Sequence, residues 1–164
     1  MKLKGITDEC FSDYKYPAMF LAFPFCTFKC DIENGNQYCQ NWALSNEPTL
    51  DVEARDIVQR YLDNPITQAL VCGGLEPFED SEELKTLLVI FRLHTKDPFI
   101  IYTGFTEEEV QARFNWIYDY ENVIIKYGRF RPNQPSHYDE ILGVNLANDG
   151  QYAKRYNWRW DDDD

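Results

Sequence analysis

Along the chain, short continuous apolar runs alternate with segments whose apolar residues recur at helical spacing. The runs are Met19-Phe20-Leu21-Ala22-Phe23, Gln68-Ala69-Leu70-Val71-Cys72, Phe99-Ile100-Ile101-Tyr102 and Val123-Ile124-Ile125. None alternates with polar residues, so each reads as a strand buried on both faces. Between them, Ala54, Ile57, Val58 and Tyr61 define one helical face, Leu84, Leu87, Leu88 and Phe91 a second, and Val110, Phe114, Ile117 and Tyr118 a third. Asp51 and Glu53 supply an acidic first turn to the first helix. Asp80 with Glu83 and Thr106 with Glu109 have capping-box spacing ahead of the other two. Asn64-Pro65 and Asp97-Pro98 break the helical pattern before the next strand. Strand and helix in alternation predict an α/β fold, with a parallel sheet covered by helices and built from right-handed crossovers.

The flanks are less regular. Lys2-Leu3-Lys4-Gly5-Ile6 reads as an edge strand or a frayed start, with Cys10 in a polar segment after it. Gly143 to Asn148 reads as a last strand and turn, Lys154 to Trp160 is basic and aromatic, and Asp161 to Asp164 reads as a mobile acidic end. Punctuation at the strands' far ends is more regular: Gly73-Gly74, Thr103-Gly104 and Gly128 each follow a strand, and Pro24 ends the first. After Pro24 comes the segment Phe25 to Cys39, which carries Cys26, Cys30 and Cys39. Ligands of open parallel sheets bind outside the carboxyl ends of the strands. Four loops are therefore expected to share one rim.

Length and charge narrow the function. A chain of 164 residues suits one domain. A net charge of −12 argues against nucleic acid as a partner, because phosphate binding draws its affinity from Lys and Arg. No apolar run is long enough to span a bilayer, and Met1-Lys2-Leu3-Lys4 does not lead into a signal-peptide core, so a cytoplasmic protein is expected. An odd count of five cysteines reads as metal or redox chemistry rather than a disulfide framework.

Three thiolates in one loop suit zinc or an iron-sulfur centre. Structural zinc takes four ligands, whereas the two histidines, His94 and His137, fall in a helix and in the tail. Cys72, at the end of a core strand, reads as a small apolar residue, and Cys10 is given no role.

The motifs together resemble the radical S-adenosylmethionine enzymes, and within them the small activating proteins of anaerobic ribonucleotide reductases, over roughly residues 17 to 152. That superfamily carries Cys-x3-Cys-x-aromatic-Cys. Here Cys26 and Cys30 give the first half and Tyr38-Cys39 the ending, with Asp31 to Gln37 between them, so the spacing is Cys-x3-Cys-x8-Cys. Gly73-Gly74-Leu75-Glu76-Pro77 is similar to the family's Gly-Gly-Glu-Pro segment with Leu75 inserted. Tyr102-Thr103-Gly104-Phe105 and Gly128-Arg129-Phe130 are similar to segments of the activases specifically.

The resemblance implies a small partial, open parallel β/α barrel. It implies a 4Fe-4S cluster held by Cys26, Cys30 and Cys39, with S-adenosylmethionine bound at its open iron. The same resemblance assigns cofactor contacts to Tyr38, Gly73, Gly74, Glu76, Thr103 and Gly104. Tyr38 would meet the adenine, and Glu76 would have a local structural or ligand-orienting role. Lys126 and Arg129 are open between an ion pair within the fold and a carboxylate or ribose contact. The implied activity is reductive cleavage of S-adenosylmethionine to install a glycyl radical on the reductase, with a flavodoxin- or ferredoxin-like electron donor. Two alternatives stand beside it: a radical enzyme acting on a small molecule, such as a deazaguanine-forming synthase, and a non-catalytic iron-sulfur or metal-binding module.

Overall fold

The computed structural model describes residues 1–24 and 48–158. Cys26, Cys30, Tyr38, Cys39, the Asp31 to Gln37 insertion and the acidic end at 161–164 lie outside the described residues. Ten strands and three helices follow in chain order among the described residues. They are β1 (Lys2–Leu3), β2 (Gly5–Cys10), β3 (Ala18–Phe23), β4 (Leu50–Asp51), α1 (Ala54–Leu62), β5 (Ala69–Gly74), α2 (Ser81–His94), β6 (Phe99–Tyr102), α3 (Glu107–Arg113), β7 (Val123–Tyr127), β8 (His137–Asp139), β9 (Val144–Leu146) and β10 (Tyr152–Tyr156). Single 3-10 turns at Pro77–Asp80 and Asn115–Asp119 precede α2 and follow α3.

The main sheet runs β10-β7-β6-β5-β3-β2. Its centre, β3-β5-β6-β7, is parallel and in sequence order, while β2 and β10 add antiparallel edges. Right-handed crossovers between strands laid down in one direction put every helix on the same face. The side chains obey this. Leu70, Cys72, Phe99, Ile101, Val123 and Ile125 share one core with Ile57, Val58, Leu84, Leu87, Leu88, Phe91 and Val110 from the helices. The alternate residues Ala69, Val71, Ile100 and Ile124 point the other way, to Tyr14, Leu142 and Leu146. Among the described residues, helices therefore cover one face only. The β2–β3 loop and the β8–β9 hairpin cover part of the other, and the sheet stays open, without closure among the described residues.

Several local expectations change. Cys10 ends β2 instead of following it. The Gly143 to Asn148 segment supplies β9, which pairs with β8 in a separate hairpin, and the strand completing the main sheet is β10, inside the basic and aromatic stretch. That strand is an edge whose mixed side chains give no apolar run to read. The third helical pattern breaks at Phe114 into α3 and a 3-10 turn, although Val110 and Ile117 still reach the core. Thr106 and Glu109 form the reciprocal capping box. Asp80 occupies the N-cap of α2 but makes no side-chain cap bond, because the preceding 3-10 turn is itself capped by Glu76.

Candidate functional site

Register aligns the carboxyl ends of the parallel strands. Ala22 lies opposite Gly73 and Phe23 opposite Gly74, while Tyr102 lies opposite Lys126. Above that row the chain leaves β5 through Gly73-Gly74-Leu75-Glu76, β6 through Thr103-Gly104 and β7 through Gly128. The three exits border a cavity of about 420 Å³ on the helix-free face, floored by Phe20, Tyr102 and Lys126. Ser12 and Asp13 of the β2–β3 loop, Val144 to Ala147 and Gln151 form the opposite walls.

Two glycines are fixed by this geometry. At Gly74, φ is 79° and a Cβ would stand 2.8 Å from the Ala22 Cα. At Gly128, φ is 107° and a Cβ would meet the Gly150 carbonyl oxygen at 2.5 Å. Both conformations disfavour side chains, both positions pack against neighbouring backbone, and both glycines line the cavity.

Charged and polar groups around the cavity are mostly engaged. The buried Glu76 carboxylate accepts from the Thr103 hydroxyl at 2.9 Å, the Gly104 N–H at 2.7 Å and the Phe78 N–H at 3.1 Å. Burial pushes this carboxyl up to about 7, opposed by those donors and by the charge of Lys126. The Thr103 oxygen also accepts from the Phe105 N–H at 3.0 Å. Lys126 donates to the Gly128 carbonyl at 3.1 Å and lies 5.8 Å from the Tyr102 ring centroid. The Tyr102 hydroxyl donates to the Asp13 carbonyl. Gln151 spans the wall, accepting from the Ala147 N–H and donating to the Gly128 carbonyl.

Arg129 takes the structural option. Its guanidinium meets both oxygens of Glu109, each at 2.9 Å, and these hydrogen bonds hold the Glu109 carboxyl down at about 2. Of the site residues expected from sequence, Gly73, Gly74, Glu76, Thr103 and Gly104 all line the one cavity. Cys72 does not. Its side chain is in the helix-side core, where burial pushes the thiol well up. Cys10 lies opposite Ala18, at the far end of β3 from the cysteine segment, with its thiol 3.0 Å from an Asp13 carboxylate oxygen.

Asp13 and Gln151 are among the polar cavity residues that sequence reasoning missed. No local signal marks Asp13, because only the fold of the β2–β3 loop brings it there. Gln151 lies just ahead of β10, and its bonds to two separate backbone segments become visible only in three dimensions.

The donor set fits an iron-sulfur centre. The segment with three closely spaced thiols begins directly after Pro24, and Phe23, one residue earlier, pairs with the cavity-lining Gly74. Among the described residues there is no group of three or more His, Cys, Asp or Glu side chains able to hold a metal ion, and no helix is long and apolar enough to cross a membrane.

A family model described as a 4Fe-4S single cluster domain matches residues 18–146. No curated protein matches the chain, and no solved structure does. The family match starts at the first residue of β3, takes in Cys26, Cys30 and Cys39 and the three strand-end loops, and finishes at the last residue of β9. It spans most of the sequence: the chain belongs to the family of 4Fe-4S single cluster domains.

Proposed function

We propose that the protein is a radical S-adenosylmethionine activase that installs a glycyl radical on an anaerobic ribonucleotide reductase. One observation carries the reading: three glycine-bearing loops at the ends of adjacent parallel strands converge on a single cavity, and β3, which the three-cysteine segment follows in sequence, ends paired with the cavity-lining Gly74. Cys26, Cys30 and Cys39 would hold the cluster. When bound, it supplies one electron for reductive cleavage of the S-adenosylmethionine sulfonium, an electron that comes in turn from a flavodoxin- or ferredoxin-like donor. In this reading the open sheet is the partial β/α barrel of that superfamily.

The chain's own residues do the remaining work. Gly74, lacking a Cβ, lets the β5 exit pack closely against the Ala22 backbone, so that carbonyl and N–H groups of the rim can meet the amino and carboxylate ends of the ligand, respectively. Glu76 and Thr103 orient the two loops around it. The Tyr102 O–H, a hydrogen donor on the cavity floor, is committed to the Asp13 carbonyl and so is kept from quenching a reactive carbon radical. The cavity face, on which no described helix packs, would receive a protein substrate, whose glycine loop would complete the wall and exclude water.

The test is anaerobic reconstitution with iron and sulfide, followed by reduction in the presence of S-adenosylmethionine and the cognate reductase. The expected outcome is 5′-deoxyadenosine together with a glycyl doublet in electron paramagnetic resonance that disappears when the reductase's glycine is replaced. Cleavage of S-adenosylmethionine with turnover of a small molecule and no radical on the reductase would instead favour the deazaguanine-type alternative. A stable cluster with no cleavage would favour the non-catalytic module.

A further inference from the structure

The backbone ladders at the rim are of unequal length. Between β3 and β5 the pairing continues to Phe23 and Gly74, and between β6 and β7 to Tyr102 and Lys126. Between β5 and β6 it stops at Cys72 and Ile101. Gly73-Gly74 and Tyr102-Thr103-Gly104 therefore leave the sheet side by side with no ladder pairing beyond that point, although both line the cavity. Side-chain bonds of the Glu76 carboxylate span this interval. It takes one donor from its own loop, the Phe78 N–H, and two from the other, the Thr103 hydroxyl and the Gly104 N–H.

We infer that Glu76 is a positioning residue whose carboxylate replaces the missing β5–β6 ladder bonds and fixes the two glycine loops as one preformed ligand-binding wall. Its oxygens are engaged by donors from the protein itself, so its effect on a ligand passes through Gly73, Gly74 and Gly104. Holding both loops in the bound geometry beforehand lowers the ordering cost of binding. The consequence for S-adenosylmethionine rests on the function proposed above, whereas the clamp itself does not.

The clamp is also sensitive to protonation. Lys126 faces the carboxylate from β7, Arg129, paired with Glu109, flanks Gly104, and Asp13 stands on the opposite wall of the cavity. With the Glu76 carboxyl pushed up to about 7 by burial, the ionised acceptor is complete above that pH. Below it, a proton occupies one acceptor position and the charge-assisted bonds weaken.

Nuclear magnetic resonance of isotope-labelled protein, without any cofactor, tests the clamp directly. The Gly104 and Phe78 amide protons should shift with pH about a midpoint near 7 in the wild type and stay flat through that range in Glu76→Gln. Thr103→Val should move the midpoint upward, because a donor that favours the ionised form is lost. An unperturbed, pH-independent Gly104 amide in the wild type overturns the clamp.

A second arm measures S-adenosylmethionine affinity of the reconstituted protein by calorimetry. Glu76→Gln and Thr103→Val should each weaken binding by about tenfold at pH 8, and the double variant no further than the weaker single one. Wild-type affinity should fall between pH 8 and pH 6, and that of Glu76→Gln should not. Additive losses, or a pH dependence that survives in Glu76→Gln, overturn the positioning role. A wild type that holds its cluster but binds no S-adenosylmethionine sinks the proposed function alone, and the amide titration then decides the clamp.

Discussion

The two ends of the parallel sheet are finished in opposite ways. At the amino ends of β6 and β7, polar side chains gather the backbone into a knot. Arg92 donates to the carbonyls of Thr95, Asp97 and Asn122, at 2.9, 2.8 and 3.3 Å. Tyr61 donates to the Asp97 carboxylate at 2.7 Å, and Asn122 both donates to the Lys96 carbonyl and accepts from Arg155. The Thr95, Lys96 and Asp97 carbonyls, in the turn where α2 ends, are thereby satisfied, and that of Asn122, which already accepts from the Phe99 N–H, gains a second donor. At the carboxyl ends, the strands open into glycine loops around a cavity, and a single carboxylate links two of them. One end spends its polar side chains on closure and the other leaves backbone accessible. Stability and ligand chemistry are thus separable along the strand direction, as the general placement of sites at strand carboxyl ends leads one to expect.

Thiol replacement breaks the comparison most completely. Ala at Cys26, Cys30 or Cys39 should abolish the cluster in each case, since three thiolates leave no spare ligand, whereas Cys10→Ala and Cys72→Ala should retain it. Iron and sulfide counts on the five variants check this, and full iron in any of the first three would remove that cysteine from the ligand set. Cys72→Ala carries a separate cost, about 1 kcal/mol of folding stability, from the small void left in the helix-side core.

Next in size is a pair of variants, one at each end. Arg92→Met removes the guanidinium from three carbonyls and should cost about 2–3 kcal/mol in urea denaturation, while S-adenosylmethionine affinity of the folded protein stays unchanged. Gly128→Ala should cost about 1–3 kcal/mol through its positive φ and the close Gly150 oxygen, and should weaken ligand binding as well. Equal losses of affinity in both would mean that the two ends are coupled and the separation is false.

How much of this was legible in the chain follows the same division between local and distant causes. The four parallel strands and the helical faces were legible because each is written in a few consecutive residues: Ala54, Ile57, Val58 and Tyr61 are all buried, as are Leu84, Leu87, Leu88 and Phe91. The strand-end glycines marked the rim for the same reason. What covers the helix-free face was not legible. Tyr14 and Asp13 reach it through the fold of a surface loop, and β10 joins the sheet as an edge strand in which Ala153 is the buried residue. Lys126 stood out as a cation beside an apolar strand, yet only register shows that it faces the cavity floor beside Tyr102. Glu76 was readable as a site residue but not as a bridge, because its partners lie on a loop 27 and 28 residues away.

Two carboxylates at the rim sharpen the comparison through pH, with opposite signs. Glu109 is held at about 2 in the folded protein, below its ordinary 4.5. The unfolded chain therefore takes up protons first, and the stability from the Arg129 pair is fully present above pH 4.5 and lost as the pH falls through about 2. Glu76 is raised from 4.5 to about 7, so its ionisation costs stability as pH rises through that interval. Glu109→Gln should thus lose on the order of 1 kcal/mol at pH 7, a partly exposed pair being screened, and should converge on the wild type toward pH 2. Glu76→Gln should instead flatten the decline in stability between pH 4.5 and 7. Denaturation midpoints across pH 2–8 check both, and matching slopes for the two variants would contradict the assigned environments.

The smallest expected difference lies between the two sequence-predicted capping boxes, both at the carboxyl-end rim. In the one before α3, the Thr106 hydroxyl accepts from the Glu109 N–H at 3.2 Å, and the Glu109 carboxylate accepts from the Thr106 N–H at 3.1 Å. Thr106→Ala deletes the first of these bonds and should cost about 1 kcal/mol. Before α2 the same spacing is present, but Asp80 makes no cap bond, and its carboxyl is raised by burial and by the neighbouring Glu83. An ionised group in that position contributes no capping and meets a like charge. Asp80→Ala should therefore leave the denaturation midpoint within a few tenths of a kcal/mol of wild type, or raise it slightly. A loss at Asp80 as large as that at Thr106 would show that its side chain caps α2 in solution, and that the Glu76-capped 3-10 turn does not displace it.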